Sequence, residues 1–292
     1  MFEGAFTALV TPFANGKVDF KTLDRLIESQ IDAGISGLVP CGTTGESATL
    51  TEQEQKDIIK ATVDAAHKRV PVIAGTGSND TQKTVERTAV AKEFGADAAL
   101  VITPYYNKPT PSGLLEHYKT VASEVDIPII LYNVPGRTGV SIPVETVAAL
   151  SQIPNIVAIK EASGNLTYVS EIIGACKITV LSGEDSLTLP ILALGGKGTI
   201  SVVSNILPRQ TEELIRAYLN GKIEKAREIH FQMLPLMRAL FVETNPAPVK
   251  EAMAYLGLIE PEIRLPLVRV GERSRRVIID ALKKCGLHGK ER

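Results

Sequence analysis

Eight short apolar runs recur along the first two thirds of this 292-residue chain. They begin at Ala5 (AFTALV), Ser36 (SGLVP), Pro71 (PVIAG), Ala98 (AALVI), Ile127 (IPIILY), Ile156 (IVAIK), Ile178 (ITVLS) and Thr199 (TISVV). Most are continuous and not alternating, the mark of a strand covered on both faces. Between them lie stretches of helical period. Leu23, Leu26, Ile27, Gln30 and Ile31 share one stripe, and Ile58, Ile59, Val63 and Ala66 share another. Thr51 with Glu54 has capping-box spacing, and Gly34 and Gly95 stand where helices should stop.

Strands that alternate with helices pair in parallel, because each crossover returns the chain across the sheet. Eight such units predict an α/β fold, a closed (β/α)8 TIM barrel. The rival is an open, doubly wound sheet with a glycine-rich first turn. The first strand is followed by TPFANGK, which contains no G-x-G-x-x-G, so that rival loses ground. From Arg209 the strands stop and four helical stretches follow, broken by Asn220-Gly221 and by NPAP at 245–248. Pro235 is expected to kink or interrupt the second. The division expected is a barrel over 1–224 and a C-terminal helical extension, packed on it, over 225–292.

Composition narrows the function. Hydrophobic residues make up 44% and the net charge is −1, so nothing favours nucleic acid or an anionic membrane surface. The start Met-Phe-Glu-Gly-Ala has no basic n-region, and no apolar run approaches the ~18 residues of a membrane span. Cys41, Cys176 and Cys285 are odd in number and far apart, which favours a reducing cytoplasm over a disulfide framework. The four histidines share no metal-ligand spacing, so a metal is disfavoured.

In a barrel of this kind, chemistry sits at the C-terminal ends of the strands. Those ends carry Thr43, Thr44 and Glu46 (CGTTGES), then Tyr105 and Tyr106 (TPYYNKP). Tyr132 and Arg137 follow (YNVPGRTG), then Lys160, then SGED. A lysine in a desolvated pocket has a depressed pKa, and its neutral amine can form a Schiff base with a carbonyl. The iminium is an electron sink that turns a neighbouring carbon into an enamine nucleophile. Tyr132 offers a phenol for the proton transfers. Threonine hydroxyls can hold one carboxylate, and Arg137 offers a planar fork for another. The residues alone therefore indicate a Schiff-base aldolase or lyase for small carboxylated substrates. GESAT lacks the second glycine of a Gly-x-Ser-x-Gly elbow, so Ser47 is not a hydrolase nucleophile. Cys41 is expected to be a small apolar residue.

These motifs resemble the dihydrodipicolinate synthase family of the pyruvate-dependent Schiff-base aldolases. The likeness runs nearly end to end, through FTALVTPF, GTTGESATL, AGTGSN, TPYYNKP, LYNVPGRTG, IKEASGNL, LSGED and FVETNPAPVK. It implies that Lys160 forms the Schiff base with pyruvate and that Tyr132 carries protons. Thr43 and Tyr106 relay them, Tyr106 from a neighbouring subunit. Thr44 holds the pyruvate carboxylate, carbonyls of Gly183 and Ile200 line the pocket, and Arg137 receives the carboxylate of aspartate-β-semialdehyde. It further implies lysine and diaminopimelate biosynthesis, a cytoplasmic homotetramer built from tight dimers, and no separate cofactor. Two rivals stay open: an aldolase using another aldehyde, which Arg137 disfavours, and a silent binder of pyruvate-like acids. Feedback-inhibited relatives bind lysine with residues matching Ser47, Ala48, Asn79 and Tyr105, plus two histidines and a glutamate. Here Glu52, Gln55 and Lys83 replace those last three, so weak or absent inhibition by lysine is expected.

Overall fold

A computed structural model describes residues 2–289 of the chain. The eight apolar runs form eight parallel strands. They are β1 (Gly4–Ala8), β2 (Gly37–Val39), β3 (Ile73–Gly75), β4 (Ala98–Ile102), β5 (Ile129–Asn133), β6 (Ile156–Glu161), β7 (Thr179–Ser182) and β8 (Gly198–Ser201). Hydrogen-bonded neighbours follow the order β2-β1-β8-β7-β6-β5-β4-β3. The two ends meet through a bridge between Leu38 and Val72, where the Leu38 N–H donates to the Pro71 carbonyl and the Gly75 N–H to that of Pro40, both at 3.0 Å. The sheet thus closes into a barrel.

A helix follows each strand: α1 (Phe20–Asp32), α2 (Glu52–Ala66), α3 (Thr81–Glu93), α4 (Pro111–Glu124), α5 (Val144–Leu150), α6 (Leu166–Ala175), α7 (Thr188–Leu194) and α8 (Pro208–Leu219). Their predicted faces are the buried ones. In α1 these are Leu23, Leu26, Ile27 and Gln30. The Thr51–Glu54 capping box opens α2. Gly34 and Gly95 take φ of +85° and +90° just past α1 and α3, a region that glycine enters without a Cβ clash.

Three more helices complete the chain: α9 (Ile223–Ala239), α10 (Ala247–Tyr255) and α11 (Glu272–Lys284). Pro235 lies inside α9 and does not interrupt it, the stronger of the two effects expected from the sequence. Buried Met233, Leu236 and Met237 hold the turns on either side of it, which offsets the hydrogen bond that proline removes. These residues share one apolar cluster with Leu9, Val10 and Val203 beside the barrel, as do Ile278 and Leu282 of α11. Inside the barrel, Phe6, Val39, Ile73, Leu100, Ile130, Leu181 and Ile200 fill the space beneath Tyr132. A small antiparallel hairpin, Phe13–Ala14 with Lys17–Val18, turns at Asn15-Gly16. The apolar pattern assigned no strand to that stretch.

Candidate active site

Two adjacent strand ends build the centre of the barrel mouth. Along β5 and β6, Tyr132 is paired with Lys160 and Asn133 with Glu161. One extra residue, Val157, separates the Ile129–Ile156 pair from the Ile130–Ala158 pair. That bulge matters, because a one-residue slip sends every later side chain of a strand to its other face. Without it, Lys160 would point at the helices. With it, Ala158 and Lys160 face the barrel interior, while Ile159 and Glu161 face outward.

Lys160 is 6% exposed, and its Nζ lies 4.2 Å from the centroid of the Tyr132 ring. Behind this pair, Asn133 Nδ2 donates to Glu161 Oε2 at 2.7 Å, and the Ser163 N–H donates to Oε1 at 2.5 Å. Burial pushes the Glu161 carboxyl upward, and the bonds from Ser163 and Asn133 pull against it. These bonds fasten β5 to β6 next to the lysine.

The loop after β2 brings in the threonines. Thr44 is buried, and its Oγ1 accepts from Asn245 Nδ2 at 3.0 Å. The Asn245 carbonyl in turn accepts from Arg137 Nη2 at 3.1 Å. One residue between α9 and α10 therefore ties the threonine loop to the arginine. At the end of β7, a Cβ on Gly183 would meet the Ala162 Cβ at 2.7 Å and Lys160 Cε at 3.1 Å. Only glycine lets that backbone pass so close to the lysine.

A cavity of about 530 Å³ opens over these groups, walled in part by Thr43, Thr44, Tyr132, Arg137, Lys160 and Gly183. A second, of about 350 Å³, adjoins it through Thr43, Tyr132, Arg137 and Asn245, and extends to Cys41 and Tyr105. The Cys41 thiol is buried and pushed up to about 12, as suits a small apolar residue. Tyr106 stands apart: it is 90% exposed, has φ +73°, and walls neither cavity. Ile200 lies in β8, its side chain within the barrel filling. At the positions matched to a lysine-binding surface, Lys83 pairs with Glu52 at 3.3 Å and Gln55 Nε2 donates to the Ser47 carbonyl at 2.9 Å. Among the described residues no group of three or more His, Cys, Asp or Glu could hold a metal ion, and no helix is long and apolar enough to cross a membrane.

Lys160, Tyr132, Thr43, Thr44, Arg137 and Gly183 thus meet around one cavity. Sequence reasoning overlooked Asn245, Asn133, Glu161 and Arg238. Asn245 lay in view within FVETNPAPVK, where its neighbouring prolines made it look like a simple break.

The Dihydrodipicolinate synthetase family model matches residues 1–285. A 4-hydroxy-tetrahydrodipicolinate synthase of Syntrophus aciditrophicus (strain SB) is 54% identical over 291 residues, covering 99% of this chain and 100% of the relative. One from Maridesulfovibrio salexigens is 54% identical over 289 residues, covering 98% and 99%. The crystal structure of dihydrodipicolinate synthase from Aquifex aeolicus superposes with a TM-score of 0.97 at 52% identity, covering 99% of this chain and 100% of that one. With full-length likeness in sequence and fold, the chain belongs to the dihydrodipicolinate synthetase family.

Proposed function

We propose that the cavity above Lys160 condenses pyruvate with aspartate-β-semialdehyde to give 4-hydroxy-tetrahydrodipicolinate, a lyase reaction of the Schiff-base aldolase class in lysine and diaminopimelate biosynthesis. One observation carries the site assignment: a buried lysine, 4.2 Å from a buried tyrosine ring, at the mouth of the barrel.

The free amine of Lys160 adds to C2 of pyruvate, and loss of water leaves the iminium. Thr44 holds the pyruvate carboxylate. A C3 proton leaves and its electron pair moves into the iminium, giving the enamine. C3 then attacks the aldehyde carbon of the second substrate, and the aldehyde oxygen takes a proton to become the hydroxyl. Tyr132 is the near proton carrier, with Thr43 and the Tyr106 of a neighbouring subunit completing the relay. Arg137 binds the carboxylate of the semialdehyde in its guanidinium fork. The substrate amine next adds to C2 of the iminium and expels Lys160, which closes the ring and regenerates the enzyme. The protein's own lysine is the electron sink, so the cycle needs no separate cofactor. The carbonyls of Gly183 and Ile200 complete the pyruvate pocket.

A homotetramer assembled from tight dimers, a cytoplasmic location, and a barrel over 1–224 bearing an extension over 225–292 belong to the same reading. The test is turnover of both substrates, coupled to the next reductase. Activity and borohydride trapping of pyruvate should both vanish in Lys160→Ala. Trapping that persists in that variant would remove Lys160 from its role.

A further inference from the structure

Glu184 is the carboxylate in the wall of the Lys160 cavity, and nothing in the steps above uses it. That cavity is otherwise lined by three cations, Lys160, Arg137 and Arg238, and by neutral groups. Among the described residues Glu184 forms no ion pair with a lysine or arginine. It is nevertheless held in place. Its N–H donates to Ser182 Oγ at 3.3 Å, and Ser182 Oγ donates to its carbonyl at 2.7 Å. Ser186 Oγ donates to Oε1 at 3.0 Å. The other carboxylate oxygen lies 3.5 Å from where a Cβ on Gly164 would stand, so the side chain reaches toward the loop after β6. A half-buried carboxylate held by Ser186, in the wall of an otherwise cationic cavity, is suited to accept a positive group of a ligand.

Position within the barrel says which group. Lys160 closes β6, Arg137 follows β5 on one side, and Glu184 follows β7 on the other. The loops that carry the arginine and the glutamate therefore leave the barrel on either side of the lysine, and all three side chains wall the same cavity. Aspartate-β-semialdehyde carries its carboxylate and its ammonium on one carbon, two bonds from the aldehyde carbon. With that carbon held between a guanidinium and a carboxylate, the aldehyde is directed down toward the enamine on Lys160.

We propose that Glu184 binds the α-ammonium of the semialdehyde substrate opposite Arg137, and so selects 2-amino aldehydes over their deaminated counterparts. This rests on the function proposed above. It adds a reason that a second charged group is needed: the amine must stay beside C2 until it displaces the lysine.

The experiment compares wild type with Glu184→Gln and Glu184→Asp. The glutamine variant should raise KM for aspartate-β-semialdehyde roughly ten- to a hundredfold, the loss expected when a hydrogen bond between charged groups is removed. Its KM for pyruvate and its borohydride trapping on Lys160 should be unchanged, which also verifies folding. Succinic semialdehyde keeps the aldehyde and carboxylate but lacks the amine. Its inhibition constant against the true substrate should be the same in wild type and Glu184→Gln. Glu184→Asp should recover part of the lost affinity. Equal weakening of both aldehydes would overturn the assignment, and so would an unchanged KM. A wild type that traps no pyruvate would overturn the synthase reading itself, and the role of Glu184 with it.

Discussion

Gly183 shows how closely one residue can be constrained by its neighbours. Its missing side chain leaves room for Lys160 Cε, and the nearest obstacle to any Cβ is the Ala162 Cβ at 2.7 Å, which has no flexible end to swing aside. Gly183→Ala should therefore displace the lysine or the β7 end, at a cost of about 1–3 kcal/mol for overpacking. Expected is a fall of tenfold or more in the rate of pyruvate trapping, with a measurable drop in urea midpoint. An unchanged trapping rate would show that the backbone yields without moving the amine. At this scale the sequence was informative where chemistry and pattern coincide. Lys160 ends an apolar run, and a charged group there demands an explanation. Asn245 gave no such signal, because its partner Thr44 lies 201 positions away and only the folded chain unites them. The bulge at Val157 was equally silent, since a strand with both faces buried has no alternation for an extra residue to break.

The elements are joined to the site by a buried ion pair. Lys250 Nζ of α10 donates to Glu46 Oε1 at 2.5 Å and to the Thr11 carbonyl at 2.9 Å, while the Arg264 N–H donates to Glu46 Oε2 at 3.0 Å. Both Lys250 and Arg264 lie 4.3 Å over the Phe13 ring. Burial pulls the Lys250 amine down, and Glu46 opposes that. Because Glu46 lies two residues after Thr44, this pair couples the C-terminal helices to the threonine loop. Glu46→Gln leaves a buried ammonium without its counter-charge and should lower stability by about 3–5 kcal/mol. The double variant Glu46→Leu, Lys250→Met should lose far less than the sum of the two single changes, as a double-mutant cycle in urea would show. Additive losses would mean the pair is not coupled. Between α3 and α4 the buried His117 predicts a pH effect. Its Nδ1 meets Thr81 Oγ1 at 2.9 Å, and burial pulls its pKa from 6.5 down to about 4. The unfolded chain thus takes up a proton between pH 6.5 and 4 that the folded chain refuses. Stability should fall as pH drops through that window, by up to about 3 kcal/mol from this residue. His117→Gln should flatten that part of the stability–pH curve, and an identical slope would assign the loss to other groups.

At the scale of the whole molecule, the barrel was legible because parallel strands need continuous apolar runs and closure needs eight of them. All eight predicted runs are strands, and the elements missed are those too short to have a period, such as the two-residue arms at Phe13–Ala14 and Lys17–Val18. Of the residues in the proposed proton relay, Tyr106 alone stands outside both cavities of its own chain. Tyr106 is 90% exposed on the loop after β4 and holds a left-handed φ that disfavours a bulky side chain. If it enters the site of a neighbouring subunit, each site takes Lys160 from one protomer and Tyr106 from the other. Lys160→Ala and Tyr106→Phe should then each be nearly inactive alone. After the two variants are mixed and their subunits exchanged, about half of the dimers are hybrids, and a two-fold interface gives each hybrid one intact site of two. Activity should rise to about a quarter of wild type, read in the coupled assay against unmixed controls. No recovery, with exchange verified by mass, would mean that Tyr106 serves its own chain or no site at all.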